Sequence, residues 1–243
     1  MRRKTLGTGL LMLALLATAA HASEYDCGSL ENSLGPFDYN DPAMRVPTGE
    51  NPMGQVRRVE NVHFQPDMQF LNTRKFSPER LRAEFAYTLG AFPNHRIALN
   101  AVSRLEMLYS KQLPPIGKRF TADCFFDRAI RFRPEDKGVR FVYGVHLHQR
   151  GRFQDALKEY TLAETLGEDS ANFYYNFGLL HADMKNWQEA RRCAEIAYSQ
   201  GGAQLPGLAQ RIQKAGHGTV TGGQARAAAV SEEATPSPTP EAR

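Results

Sequence analysis

The sequence has few cysteines, and their spacing excludes two common classes of site. Cys27, Cys124 and Cys193 are far apart and no CxxC pair is present, so neither a zinc ribbon nor a thioredoxin-like redox centre is supported. The HExxH, GxSxG and Walker sequences of metalloproteases, serine hydrolases and P-loop proteins are absent as well. We therefore expect a protein that is not an enzyme and that holds no cofactor and no metal ion.

The chain also has little excess of basic over acidic residues once its first four residues are set aside. The chain of 243 residues has 30 basic and 26 acidic side chains, a formal net charge of +4. Three of the basic side chains are Arg2, Arg3 and Lys4, so the remainder is close to neutral and its charges are interspersed. A protein that binds nucleic acid needs a net basic face, so we expect no nucleic-acid partner.

No apolar run is long enough to predict a membrane span. Residues 10–17 are almost wholly apolar, but a helix that crosses a bilayer needs about 20 such residues. This run follows a positive start and precedes a small-x-small pattern at residues 20–22, which is typical of an export signal. We predict a signal peptide over residues 1–22, cleaved after Ala22, and a periplasmic protein. Cys27 does not directly follow small apolar residues, so we expect no lipid anchor.

The two ends of the remaining chain differ in composition from its centre. Residues 23–76 contain five prolines, four glycines and six aromatic residues, which predicts an irregular segment anchored on the domain that follows. Residues 216–243 are rich in Gly, Ala, Ser, Thr and Pro and contain no aromatic residue, which predicts a disordered tail. The folded domain is expected over residues 77–215.

The central region repeats with a period of 34 residues. The positions that recur are Gly144, Ala156, Tyr160 and Ala163, found again as Gly178, Ala190, Ala194 and Ala197. Upstream, Ala122, Phe126 and Ala129 stand 34 residues before Ala156, Tyr160 and Ala163. Small residues at these offsets let two antiparallel helices cross closely. The pattern resembles the tetratricopeptide-repeat family, and the resemblance implies an all-α stack of helical hairpins.

The resemblance implies about three repeats and two flanking helices. The repeats are expected at about residues 95–136, 137–170 and 171–204. Repeat one has seven additional residues between its helices, at residues 111–117. An earlier helix is expected to begin at Ser77, with Pro78 in its first turn, and a capping helix is expected at residues 205–215.

In this family, ligands lie in the concave groove lined by the first helix of each repeat. Position in the repeat assigns to this groove Asn100, Arg104, Phe141, Val145, His148, Tyr175, Asn176, Leu179 and Asp183. The best-known subclass of this family binds the C-terminal carboxylate of a peptide. Only Asn100, Arg104 and Asn176 fit that chemistry here. We therefore expect an apolar and aromatic groove, covered either by a partner or by the chain's own aromatic N-terminal segment.

The expected repeats also limit which cysteines can pair. Cys124 and Cys193 fall in the second helices of repeats one and three, and helices packed about 8–10 Å apart would separate them by on the order of 35 Å. A disulfide needs Cα atoms within about 7 Å, so an intramolecular bridge must include Cys27. Cys124 is the nearer choice for a segment docked at the N-terminal end of the stack. We predict a bridge between Cys27 and Cys124, with Cys193 free.

These features favour a non-catalytic periplasmic scaffold that binds a protein or peptide of the cell envelope through its concave groove. The alternative is a structural accessory subunit of an envelope secretion, pilus, transport or polysaccharide-export assembly. Both roles are compatible with more than one oligomeric state.

Overall fold

The computed structural model describes residues 27–113, 120–201 and 206–220. Within these ranges the chain is helical and has no β-sheet, so the all-α prediction is confirmed. The α-helices are α1 (Gln55–His63), α2 (Pro66–Gln69), α3 (Pro78–Ala91), α4 (Arg96–Tyr109), α5 (Ala122–Phe132), α6 (Lys137–Gln149), α7 (Phe153–Thr165), α8 (Ala171–Asp183), α9 (Trp187–Ser199) and α10 (Gly207–Lys214). No helix in these ranges has the length and apolar character needed to cross a bilayer. The predicted signal peptide, residues 1–22, lies outside the described residues.

Two helical hairpins, α6–α7 and α8–α9, are equivalent and make the fold repeat-like. Each helix of the second hairpin begins and ends 34 residues after its counterpart in the first. Asp136 and Ser170 cap the first helices of the two hairpins with their side chains, which accept backbone N–H groups at the third helical position. At the crossing of α6 and α7, a Cβ added to Gly144 would lie 3.0 Å from the Tyr160 ring. The absence of a side chain at Gly144 therefore allows this close approach.

Helices α3, α4, α5 and α10 flank these hairpins along the chain. The helix expected from Ser77 is α3, whose Ser77 side chain accepts the Arg80 N–H. Helix α4 packs against both α5 and α6. The connection between α4 and α5 is long, and residues 114–119 within it lie outside the described residues. Helix α10 packs on α8 and α9 at the other end of the stack, where the capping helix is expected.

The prediction of an irregular N-terminal segment is wrong for residues 55–63. These residues form α1, whose buried face consists of Val56 and Val59. A three-residue spacing places both valines on one side of a helix, but only two apolar residues mark that face. The prolines and glycines before them dominate the composition, which explains why the pattern does not predict the helix.

The N-terminal segment is joined covalently to α5. Cys27 forms a disulfide with Cys124, the pair expected from the sequence, and Cys193 is buried and free. On the next turn of α5, Arg128 and Arg131 donate to the backbone carbonyls of Cys27 and of the residue after it. The segment is therefore held on α5 by one covalent bond and two charge-assisted hydrogen bonds.

The prediction of a disordered tail is wrong for its first five residues, 216–220. The His217 ring stacks on Trp187, with 5.0 Å between the ring centroids, and Arg191 donates to the His217 carbonyl over 3.0 Å. Val220 packs against the apolar cluster that α10 forms with α8 and α9. The remaining tail, residues 221–243, lies outside the described residues.

Gly178 lies at a close crossing of α8 with α9 and α10. A Cβ there would lie 2.5 Å from a Leu208 methyl group and 3.1 Å from the Cys193 Cβ. We expect Gly178→Ala to lower the free energy of unfolding by about 1–2 kcal/mol, because overpacking outweighs the gain in helix propensity. Urea denaturation measures the change. Gly49→Ala is the control, since no atom lies within 4 Å of that position; equal losses for the two variants would contradict the close crossing.

Candidate binding groove

The N-terminal halves of α4, α6 and α8 surround an open cavity of about 480 Å³. Its lining includes Arg96, Ile97 and Asn100 from α4, Phe141 and Val142 from α6, and Ser170 and Asn172 at the start of α8. Because the first turns of all three helices border one cavity, their N-termini lie at the same edge of the stack. Of the residues assigned to the groove from the sequence, Asn100 and Phe141 line this cavity.

One face of α4 presents three polar side chains that have no hydrogen bond or ion pair to another described residue. Arg96, Asn100 and Arg104 are spaced one turn apart on one face of the helix. No side-chain hydrogen bond or ion pair joins any of them to another residue in the described ranges. Ile97 lies beside them and is 43% exposed. The sequence predicts Asn100 and Arg104 as groove residues but does not single out Arg96 or Ile97.

The α6 residues assigned to the groove belong largely to the core. Phe141 is 9% exposed, and its ring contacts Phe173 edge-on with 5.5 Å between centroids. Val145 is half-buried and packs against the same cluster. Phe141 therefore offers a ligand only the edge that borders the cavity, and replacing it would disturb the core.

The α8 residues Tyr175 and Leu179 are covered by another part of the chain. Both pack against the cluster formed by Leu208 and Ile212 of α10. Position in a repeat predicts which face of a helix they occupy, but not that a following helix lies on that face. Among the described residues, α10 therefore packs on the α8 part of the expected apolar patch, whereas the α6 part lies in the core between the hairpins.

The polar residues predicted near the ends of α6 and α8 interact with each other. His148 Nε2 lies 2.8 Å from Asp183 Oδ2, and Arg211 of α10 donates to Asp183 Oδ1 over 2.6 Å. This link joins α6, α8 and α10, and the sequence does not predict the part that Arg211 plays in it. Asn176 donates to the Asn172 carbonyl, 2.7 Å away on the same helix, so it is already engaged within α8.

Ser103, His146 and Asp123 form a polar row between α4, α5 and α6 that has the composition of a hydrolase triad. Ser103 Oγ accepts from Arg150 over 3.2 Å, which leaves its O–H to donate to His146 Nδ1 at 2.9 Å. His146 Nε2 lies 3.4 Å from Asp123 Oδ1 but makes no hydrogen bond to any described residue. However, Ser103 is only 3% exposed, so a substrate could reach it only if the helices separated. We interpret the row as polar packing between helices.

The three histidines of α6 and α8 do not converge on a shared site. His146 contacts Ser103 and His148 contacts Asp183, whereas the His181 ring packs on Phe177 with 4.5 Å between centroids. Burial lowers the pKa values of His146 and His181 and favours their neutral forms. In the part of the chain that the structure describes, no three His, Cys, Asp or Glu side chains are grouped as a metal site would require.

Comparison with known proteins gives one partial similarity. No family model matches the sequence. An uncharacterized protein of Haemophilus influenzae is 27% identical over 107 residues, a match that covers 43% of this chain and 56% of the relative. The chain therefore spans little more than half the length of this relative. Because the relative is uncharacterized, the match indicates no activity.

Proposed function

We propose that the protein is a non-catalytic scaffold of the tetratricopeptide-repeat type that binds an extended protein or peptide segment. The observation that carries the proposal is the face of α4, where Arg96 and Asn100 line the open cavity beside the exposed Ile97. Neither side chain has a hydrogen bond or ion pair to another described residue. Asn100 can donate to and accept from a peptide backbone. Ile97 and the edge of Phe141 provide an apolar contact for one ligand side chain.

The charges around the cavity indicate the chemistry of the segment. Arg96 lines the cavity and Arg104 lies two turns further along α4, whereas Lys137 donates to the Gly167 carbonyl over 2.7 Å. On the opposite wall, Glu168 accepts the Ser170 hydroxyl. We therefore expect a ligand that directs a carboxylate towards α4 and carries no acidic group near α8.

The proposal includes export of the protein to the periplasm. The disulfide between Cys27 and Cys124 supports it, because such bonds persist in oxidising compartments. The pattern of residues 1–22 supports it independently. In this compartment the partner would be a protein of the cell envelope.

A peptide array tests the proposed function. The protein is applied to an array of segments from envelope proteins. Each acidic peptide on the array is accompanied by a version in which its carboxylates are replaced by amides. We expect acidic peptides to bind, and the variant Asn100→Ala/Arg104→Ala to bind them at least about tenfold more weakly, since truncation of a central contact costs about 2 kcal/mol or more. Leu162→Ala, at a residue of α7 that is 36% exposed, is the control and should bind as the wild type does.

Two results would count against the groove. If no peptide and no protein from an envelope extract binds above background while circular dichroism shows intact helices, the scaffold proposal fails. If binding persists unchanged in the double variant, the ligand uses another face. Sedimentation of the protein with a membrane complex, unaffected by these substitutions, would favour the alternative role of a structural accessory subunit.

A further inference from the structure

Residues 35–45 cross the junction between α3 and α4, and we refer to them as the strap. The strap is held at both ends, because the chain before it is bonded to α5 through Cys27 and the chain after it continues into α1. Its backbone is hydrogen-bonded to the junction: the Phe37 N–H donates to the Ala91 carbonyl over 2.8 Å, and the Tyr39 N–H donates to Asn94 Oδ1 over 2.9 Å.

A single buried histidine connects the strap to the stack. His95 is fully buried and stacks on Tyr39 of the strap, with 3.9 Å between the ring centroids. Its Nδ1 accepts the Ala98 N–H over 3.3 Å and thereby caps α4. Because Nδ1 is an acceptor, the ring's proton is on Nε2, which lies 3.1 Å from Glu60 Oε1 on α1. Glu60 also accepts the Tyr39 hydroxyl over 3.2 Å.

This geometry opposes protonation of His95. An imidazolium has no acceptor nitrogen, so the charged ring cannot cap α4 through Nδ1. The N-terminus of a helix also carries partial positive charge, which disfavours a cation there. The titratable and charged groups that face the ring are Glu60 on α1 and Tyr39 and Arg45 of the strap. Glu60 favours the charged ring, but it neither restores the cap nor removes the burial.

We propose that His95 is a pH-sensitive latch: protonation of its ring releases the strap from the junction of α3 and α4, while the disulfide keeps the strap attached to the protein. Release uncovers Ala91 and Phe92, which are buried beneath the strap. The lining of the cavity in the proposed groove contains none of these residues, so the latch does not rest on the proposed function.

The direction of the effect follows from the pKa of His95. Burial lowers this pKa from its ordinary value, and the hydrogen bond to Glu60 opposes the shift only in part. A histidine whose pKa is lowered in the folded state contributes stability that is fully present above its ordinary pKa of about 6.5. That stability is lost as the pH falls through the lower folded value. The strap should therefore be closed at neutral pH and released under mildly acidic conditions.

Amide hydrogen exchange of the full chain between about pH 7.5 and about pH 5 tests the latch, with rates converted to protection factors so that the intrinsic pH dependence is removed. We expect protection of the Phe37 and Tyr39 amides to fall at least about tenfold across this range, equivalent to about 1.4 kcal/mol. Amides of α9 should keep their protection. In His95→Asn, whose side chain caps a helix without titrating, the fall should disappear; His217→Asn, remote from the strap, should behave as the wild type does.

A second variant covers the case in which His95→Asn does not fold. Glu60→Gln keeps a hydrogen-bond acceptor but removes the charge that favours the imidazolium. The release of the strap should therefore move to lower pH. The NMR resonance of the His95 ring measures the pH at which this occurs. Three results would overturn the proposal: equal changes in protection for the strap and α9, a fall that persists in His95→Asn, or a midpoint that Glu60→Gln leaves unchanged.

Discussion

Loss of the disulfide between Cys27 and Cys124 is expected to lower the free energy of unfolding by about 4–5 kcal/mol. The two cysteines are 97 residues apart in the chain, so the bond closes a long loop and removes much of the conformational freedom of the unfolded state. Small domains are stable by only about 5–15 kcal/mol. Without the bond, the segment from Cys27 to α1 would be held by hydrogen bonds and apolar contacts alone.

Urea denaturation with and without a dithiol reductant measures this contribution. The variant Cys27→Ala/Cys124→Ala should unfold at the lower urea concentration under both conditions, whereas the wild type should fall to that level only with reductant. Cys193→Ala is the matched control and should keep the response to reductant. Burial raises the pKa of the Cys193 thiol to about 12, so this group should not exchange with the disulfide. A loss below about 1 kcal/mol would contradict the loop-closure argument.

The helices predicted best from the sequence are those whose packing repeats. The recurrence of small residues at 34-residue intervals locates the hairpins α6–α7 and α8–α9, because each interhelical crossing requires a small side chain at the same place. Helix α1 has no counterpart among the other described helices, and its burial depends on contact with the end of α3. A contact between distant segments leaves no periodic signal, so composition alone predicts the segment incorrectly.

The sequence predicts the groove less completely than the hairpins. Position in a repeat specifies which face of a helix a residue occupies, but it does not specify whether another helix packs on that face. In the second hairpin, Ala194 stands where Tyr160 stands in the first. Tyr160 fills the space beside Gly144, whereas the space beside Gly178 is filled by Leu208 of α10. The smaller residue thus leaves room for α10, and Tyr175 also packs against the cluster that includes Leu208 and Ile212 of that helix.

Tyr160→Ala is expected to lower the free energy of unfolding by about 3–5 kcal/mol, the cost of removing a large aromatic side chain from a packed core. The ring is fully buried and stacks on Phe177, with 5.2 Å between the centroids. It also fills the space that Gly144 leaves open. Its hydroxyl oxygen has no hydrogen-bond partner among the described residues, and an unpaired buried hydroxyl is costly.

Tyr160→Phe therefore separates the contribution of the ring from that of the hydroxyl. Because this variant keeps the ring and removes only the unpaired group, we expect it to be as stable as the wild type or more stable by about 1 kcal/mol. Leu162→Ala, two residues along α7 and 36% exposed, controls for effects on the helix and should change stability by less than about 1 kcal/mol. Urea denaturation of the three variants makes the comparison. A loss of stability above about 1 kcal/mol in Tyr160→Phe would mean that the hydroxyl is hydrogen-bonded in solution. Equal losses in Tyr160→Ala and Leu162→Ala would mean that the ring does not stabilise the crossing of α6 and α7.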